Sequence, residues 1–184
     1  MDLMLSELAA RDTAEKIVSQ NVEIQAQKKE LKLIPQVVQW KNELTAVKDR
    51  KKFLVLSGPS QLGKTQFVIG LFGAGATLEV NCAGASHPPL RNLDSQIYRC
   101  VVFDEAPVTM VLGYRCLFQA PNCQVIIGQP PTNTSCYPVY LNDTAFVICT
   151  NSWHTELPAL CESDASWIRA NMVFVQVSEA LRKQ

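Results

Sequence analysis

The stretch Gly58-Pro59-Ser60-Gln61-Leu62-Gly63-Lys64-Thr65 constrains this chain more than any other. Two glycines enclosing four free positions, then Lys and Thr, make the phosphate-loop pattern. The apolar run Phe53-Leu54-Val55-Leu56 reads as a buried strand before it, and Gln66 to Phe72 suits a helix after it. Strand, tight loop and helix are the context that the pattern requires. Glycines at both ends let the backbone turn its N–H groups inward as an anion nest. The start of the following helix adds partial positive charge. Lys64 can then reach the β- and γ-phosphates, and the Thr65 hydroxyl can ligate Mg²⁺. The plain alternative is a Gly-rich turn with a chance lysine, which the full pattern and its flanks disfavour. Residues 58–65 are expected to bind a nucleoside triphosphate.

A second signature follows about forty positions later. Tyr98-Arg99-Cys100-Val101-Val102-Phe103-Asp104-Glu105 reads as an apolar strand ending in two carboxylates, the Walker B pattern. Asp104 at the strand tip suits a Mg²⁺ ligand, and Glu105 a base accepting a proton from the attacking water. Alone, the pattern could be any solvated strand end; its distance from the phosphate loop gives it meaning. Ala145-Phe146-Val147-Ile148-Cys149-Thr150-Asn151 is a further apolar strand. Its terminal Asn151 can orient water or sense the γ-phosphate through its amide, or serve as a turn cap.

The remaining elements are read from pattern. Thr77 to Val80 is a predicted strand, followed by a loop with Gly84, Pro88 and Pro89. Pro107 to Gln119 suits one helix with proline at its first position, although Gly113 lies inside it. Val125-Ile126-Ile127 and Tyr137 to Leu141 predict a hairpin with a turn-rich tip over 128–135, and Pro138 implies an edge strand. Ser163 to Ala170 is a predicted helix capped by Ser163 or Asp164. Met172 to Val177 is the last predicted strand, and 178–184 a closing helix. Arg169, just before that strand, is either an arginine finger for a neighbouring subunit's nucleotide or an ordinary surface arginine.

Residues 1–50 have no glycine and one proline, Pro35. Leu3, Ala10, Ile17, Ile24, Leu31 and Val38 fall seven apart, but polar companions at Glu7, Asn21 and Lys28 argue against a stable coiled coil. A long helix to about Lys32, a break at Pro35 and a second helix to about Val47 are expected. They either pack on the core or form a collar through which subunits associate. The core is expected over 51–178, with 179–184 as a helix or tail.

Composition narrows the classes. Seventeen basic and seventeen acidic residues give zero net charge, so no overall basic field draws the chain to nucleic acid. The seven cysteines are odd in number and never spaced as CxxC, which argues against a zinc site or disulfide framework and for a reducing, intracellular compartment. No apolar run reaches membrane-spanning length, so no membrane partner is expected.

The order phosphate loop, Asp-Glu strand, hairpin, then strand ending in Asn resembles superfamily 3 helicases. It is most similar to the ATPase domain of replication initiator (Rep) proteins of circular single-stranded DNA viruses. The likeness covers about residues 50–175 and is carried by 53–65, 101–105, the hairpin 123–141 and 146–151. It implies an α/β P-loop NTPase (AAA+-like) core, with a central mostly parallel sheet flanked by helices and preceded by the N-terminal helical segment. It further implies ATP and Mg²⁺ as cofactors, a homo-oligomeric ring (a hexamer), and translocation on or unwinding of single-stranded DNA or RNA during replication. A Rep-like protein would work in the nucleus. Glu105, Asn151 and Arg169 would be catalytic, with Thr65 and Asp104 at the metal.

Two departures qualify the resemblance. The family's hairpin presents a lysine to the DNA backbone, whereas Cys123 to Asp143 contains no Lys or Arg. Phosphate contact there falls to Gln129, Thr132, Asn133, Thr134 and Ser135. The family's nicking domain carries paired histidines and a tyrosine nucleophile, and the two histidines here, His87 and His154, form no such pair. Two other readings stay open: a nucleotide-gated assembly protein that hydrolyses ATP without unwinding, and a small-molecule kinase. The dispersal of Arg91, Arg99 and Arg115 disfavours the kinase.

Overall fold

Five strands lie side by side in the order β2-β3-β6-β1-β7, every neighbouring pair parallel. They are β1 (Phe53–Ser57), β2 (Thr77–Asn81), β3 (Cys100–Asp104), β6 (Ala145–Thr150) and β7 (Met172–Gln176). A separate antiparallel pair joins β4 (Gln124–Ile127) to β5 (Tyr137–Tyr140). The computed structural model describes residues 32–46, 50–119, 122–128 and 136–181.

Burial follows directly from the strand sequences. β1 and β6 are apolar up to their last residues, Ser57 and Thr150, and buried along their whole length, as suits strands covered on both faces. Side chains alternate between two cores. Phe53, Val55, Val101, Phe103, Phe146 and Ile148 point to one face, where Phe118 and Trp153 meet them. Leu54, Leu56, Val102, Val147 and Cys149 point to the other, against Phe67 and Val68. Phe53 and Phe118 meet edge-on at 5.4 Å, and Phe118 meets Phe146 at 5.6 Å, favoured geometries for aromatic pairs. This is an α/β fold of P-loop NTPase type.

Helix α1 (Pro35–Ala46) opens with proline, whose fixed φ suits a first helical position. It lays Val37 and Trp40 into the second core. The Trp40 indole donates to the Lys52 carbonyl at 2.7 Å, and the Lys41 ammonium to the Leu71 carbonyl at 2.6 Å. This part of the N-terminal segment therefore packs on the core, while Leu33 and Val38 face outward. The expected long helix before Lys32 lies outside the described residues.

Three expectations are corrected. The helix expected over 107–119 is two, α3 (Val108–Gly113) and α4 (Arg115–Gln119), broken at Tyr114, with Pro107 as the N-cap rather than the first helical residue. The late helix α6 (Glu162–Asn171) is preceded by Cys161 at its cap, so neither Ser163 nor Asp164 takes that place. Residues 178–181 are not helical, because Leu181 instead folds back and donates its N–H to the Leu62 carbonyl at 3.0 Å. The central sheet is parallel, as expected, and the antiparallel pairing is confined to the β4–β5 hairpin. That hairpin buries Val125, Ile127 and Val139 and exposes Ile126 and Tyr140, while its tip lies outside the described residues.

Candidate functional site

Three adjacent strands, β3, β6 and β1, end at the same edge of the sheet, because all run parallel. Their register places Asp104 beside Cys149, and Ser57 beside Thr150. The carboxyl edge of a parallel sheet is where α/β folds bind ligands. Here it gathers the phosphate loop after β1, Asp104 at the end of β3 and Asn151 just after β6.

The loop is held from outside. Gly58 donates its N–H to the Thr150 carbonyl at 3.0 Å, and Val177 donates to the Ser57 carbonyl at 2.7 Å. A β-carbon on Gly58 would lie 2.0 Å from the Val177 carbonyl oxygen, so only glycine fits there. Gln61 and Gly63 take left-handed conformations, φ 65° and 76°, which turn the chain into the start of α2 (Lys64–Phe72). Alternating backbone hands of this kind point successive amides into one concavity.

Lys64 is buried and its ammonium reaches three acceptors. These are the carbonyls of Gly58 and Pro59, each at 2.8 Å, and Asn151 Oδ1 at 2.9 Å. The other end of the Asn151 amide donates to Ser60 Oγ at 2.8 Å. Asn151 therefore bridges both sides of the loop and is more than a turn cap. Thr65 Oγ1 donates to Asp104 Oδ1 at 3.2 Å. Two oxygens about 3 Å apart suit adjacent ligands of an octahedral ion with bonds of about 2.1 Å, so the pair fits Mg²⁺.

Two thiols flank this pair. Burial pushes Cys149 up to about 12, with Asp104's charge adding to it against a hydrogen bond from Thr65. Burial likewise raises Cys82 to about 12, again with Asp104 adding. Both stay protonated at neutral pH, and the donors that Thr65 and Asp104 offer are hard oxygens, the kind Mg²⁺ takes. Among the described residues no cluster of three or more His, Cys, Asp or Glu is arranged to hold a metal by itself. Mg²⁺ commonly takes its remaining ligands from substrate phosphates and water.

Glu105 follows β3 with φ 55°, a left-handed conformation unusual for a residue with a side chain. Its N–H donates to the Cys149 carbonyl at 2.8 Å, which ties the turn after β3 to β6. Strained backbone of this kind clusters at functional sites.

Arg169 is not brought to this edge. It lies on the exposed last turn of α6 and donates to Glu162 at 2.6 Å. The β7 strand that follows starts beside Phe53, at the opposite end of β1 from the phosphate loop, about 13 Å away at 3.3 Å per residue. Gln129, Thr132 and Asn133 lie outside the described residues.

The sequence reading missed Trp153 and Glu156, on the short helix α5 (Trp153–Glu156) just after Asn151. The fully buried Trp153 indole donates to the Ala106 carbonyl at 2.7 Å. Glu156 accepts from the Val108 N–H at 2.8 Å and from the Ser152 hydroxyl. Ala106 and Val108 lie more than forty residues upstream, and no local pattern announces such a pairing.

No protein-family model and no curated protein matches the sequence. Among solved structures, the chain is similar to NtrX from Brucella abortus in complex with ATP, at 14% identity and a TM-score of 0.47, covering 92% of this chain and 44% of that one. The ADP complex of the same protein gives 13% identity, a TM-score of 0.47, and 92% and 43% coverage. A third NtrX structure gives 13%, 0.44, 93% and 43%. The chain thus spans less than half the length of these neighbours, and the likeness speaks to neither ligand nor activity.

Proposed function

We propose that this chain is a Mg²⁺-dependent ATPase of superfamily 3 type, working in a homo-oligomer to move on or unwind single-stranded nucleic acid. One observation carries the ATPase reading. Lys64, Thr65, Asp104 and Asn151 interlock by hydrogen bonds at the ends of three adjacent strands. Residues 58–65 would hold the phosphates by backbone amides, with Lys64 exchanging its loop carbonyls for phosphate oxygens. Asn151 would orient the attacking water, and the Glu105 carboxylate would take its proton. Thr65 and Asp104 would hold Mg²⁺, which would supply charge neutralisation for the phosphoryl oxygens. Arg169 would act in trans on a neighbour's nucleotide.

The nucleic-acid part draws on the resemblance in motif order alone, and nuclear or other intracellular placement goes with it. A second reading, the nucleotide-gated assembly protein, is favoured by the hairpin. From Cys123 to Asp143 it lacks Lys and Arg, and Ile126 and Tyr140 stand exposed on its outer face. Phosphate tracking needs positive charge or other donors, whereas an apolar face suits protein contact.

ATP turnover with and without single-stranded DNA or RNA, beside a strand-displacement assay, separates the two. Stimulation with displacement supports the helicase. Nucleotide-dependent association with neither supports the assembly protein. No hydrolysis and no ATP binding by folded protein would remove both.

A further inference from the structure

The stretch from Cys149 to Glu156 holds the segment after Asp104 at three points. Cys149 accepts from the Glu105 N–H at 2.8 Å, Trp153 donates to the Ala106 carbonyl at 2.7 Å, and Glu156 accepts from the Val108 N–H at 2.8 Å. Pro107, between the last two, has no N–H to offer.

Each tie has a physical consequence. Val108 is the first residue of α3, where helix amides lack intrahelical partners. Its N-cap, Pro107, supplies no side-chain acceptor, so the cap comes from Glu156, forty-eight positions away. Trp153 is fully buried, with its ring edge-on to Phe53 at 6.4 Å, so its indole N–H has little freedom to leave Ala106. Glu156 is in turn fixed by the Ser152 hydroxyl, next to Asn151. A left-handed, side-chain-bearing residue is strained and persists only where its surroundings over-determine it. Glu105 is such a residue, and these ties are what surrounds it.

We propose that Trp153 and Glu156 are positioning residues for Glu105. They clamp the 105–108 turn so that its carboxylate faces the phosphate edge, and they join that turn to the Asn151 side of the site. A shift of Asn151 as Lys64 releases it would pass through Ser152 and Glu156 to the turn that carries the base. The clamp rests on the ATPase reading, with Glu105 as base.

The test uses the full chain, with ATP affinity measured separately from turnover. Glu156→Ala removes both acceptors. Glu156→Gln keeps a carbonyl for the Val108 N–H and an amide for Ser152, so it is the rescuing variant. Trp153→Phe keeps an aromatic ring against Phe53 while losing the N–H and part of the indole's volume, so it carries the test should Glu156→Ala fold poorly. Misplacing a catalytic group by about an ångström can cost about a hundredfold. The expected result is kcat lower by between about tenfold and a hundredfold in Glu156→Ala and Trp153→Phe. ATP affinity should change by less than about twofold, and Glu156→Gln should stay near wild type. In a Glu105→Gln background, Glu156→Ala should lower residual single-turnover hydrolysis no further.

Wild-type turnover in Glu156→Ala and Trp153→Phe, with Glu105→Gln inactive, overturns the clamp and leaves the ATPase reading standing. So does equal loss of ATP affinity and turnover, which marks a merely structural role. Undiminished turnover in Glu105→Gln removes the base assignment and the clamp together.

Discussion

Lys64 shows what a single residue does in this site before any nucleotide arrives. Its ammonium is satisfied by two loop carbonyls and Asn151, so the buried charge is not stranded. The same bonds hold the loop closed around the place where phosphates would lie. Glu105 is the complementary case, a carboxylate on a strained turn with its role set by position. Glu105→Gln is expected to bind ATP with near wild-type affinity while turnover falls by about 10²–10⁴-fold, read by calorimetry and phosphate release. Gly58 is constrained sterically. Gly58→Ala would push a methyl group into the Val177 carbonyl, and overpacking of this sort costs about 1–3 kcal/mol. A thermal melt should show a fall of several degrees, and an unchanged midpoint would mean that the tail after β7 yields freely.

At the scale of elements, β2, β3 and β6 explain why so many cysteines are tolerated. Cys100 and Cys149 lie within buried strands and Cys82 just beyond one, where a thiol packs as a small apolar group. Cys116 and Cys161 are exposed. Alkylation of the native protein near neutral pH should modify Cys116 and Cys161 and spare Cys82, Cys100 and Cys149 until denaturant is added. Mass mapping checks this, and early labelling of Cys149 would contradict the packing of β6. The same thiols set a pH limit. In the unfolded chain they ionise near the ordinary thiol value of 9.0, but in the fold Cys82 and Cys149 hold their protons to about 12. Above pH 9 the unfolded chain therefore binds fewer protons than the folded one. This contribution to stability is whole below about pH 9 and drains away as pH rises toward 12. Denaturant midpoints should fall over that window, and Cys82→Ala with Cys149→Ala should flatten the fall.

On the scale of the whole molecule, the parallel sheet separates two ends with different tasks. The carboxyl edge collects the phosphate loop, Asp104, Glu105 and Asn151. Arg169 lies toward the amino edge, paired with Glu162. If Arg169 completes a neighbour's site, Arg169→Ala should lose most ATPase activity, a role worth about 10³–10⁵ in rate where it operates. Mixing it with Lys64→Ala should restore part of that activity, since mixed assemblies contain intact composite sites. An absence of any mixing effect would reduce Arg169 to the surface partner of Glu162.

How much of this was legible in the chain depends on the range of the interaction concerned. Residues 53–65, 100–105 and 145–151 state their strands, their loop and their chemistry locally, through apolar runs, glycine spacing and terminal polar residues. Local signals misled at Tyr114, where the expected single helix breaks, and at residues 178–181. There, a tertiary bond from Leu181 to the phosphate loop replaced the expected helix. The Glu156 cap on α3 and the Trp153 tie to Ala106 were invisible for the same reason. The sequence by itself determined the nucleotide-site residue types and the buried strands, because those are short-range preferences of glycine, charge and apolar side chains. Only the tertiary structure decided that Asn151 bridges Lys64 and Ser60, that Arg169 faces away, and that one turn braces another. Those facts belong to strand order and register, which bring distant positions within a hydrogen bond of each other.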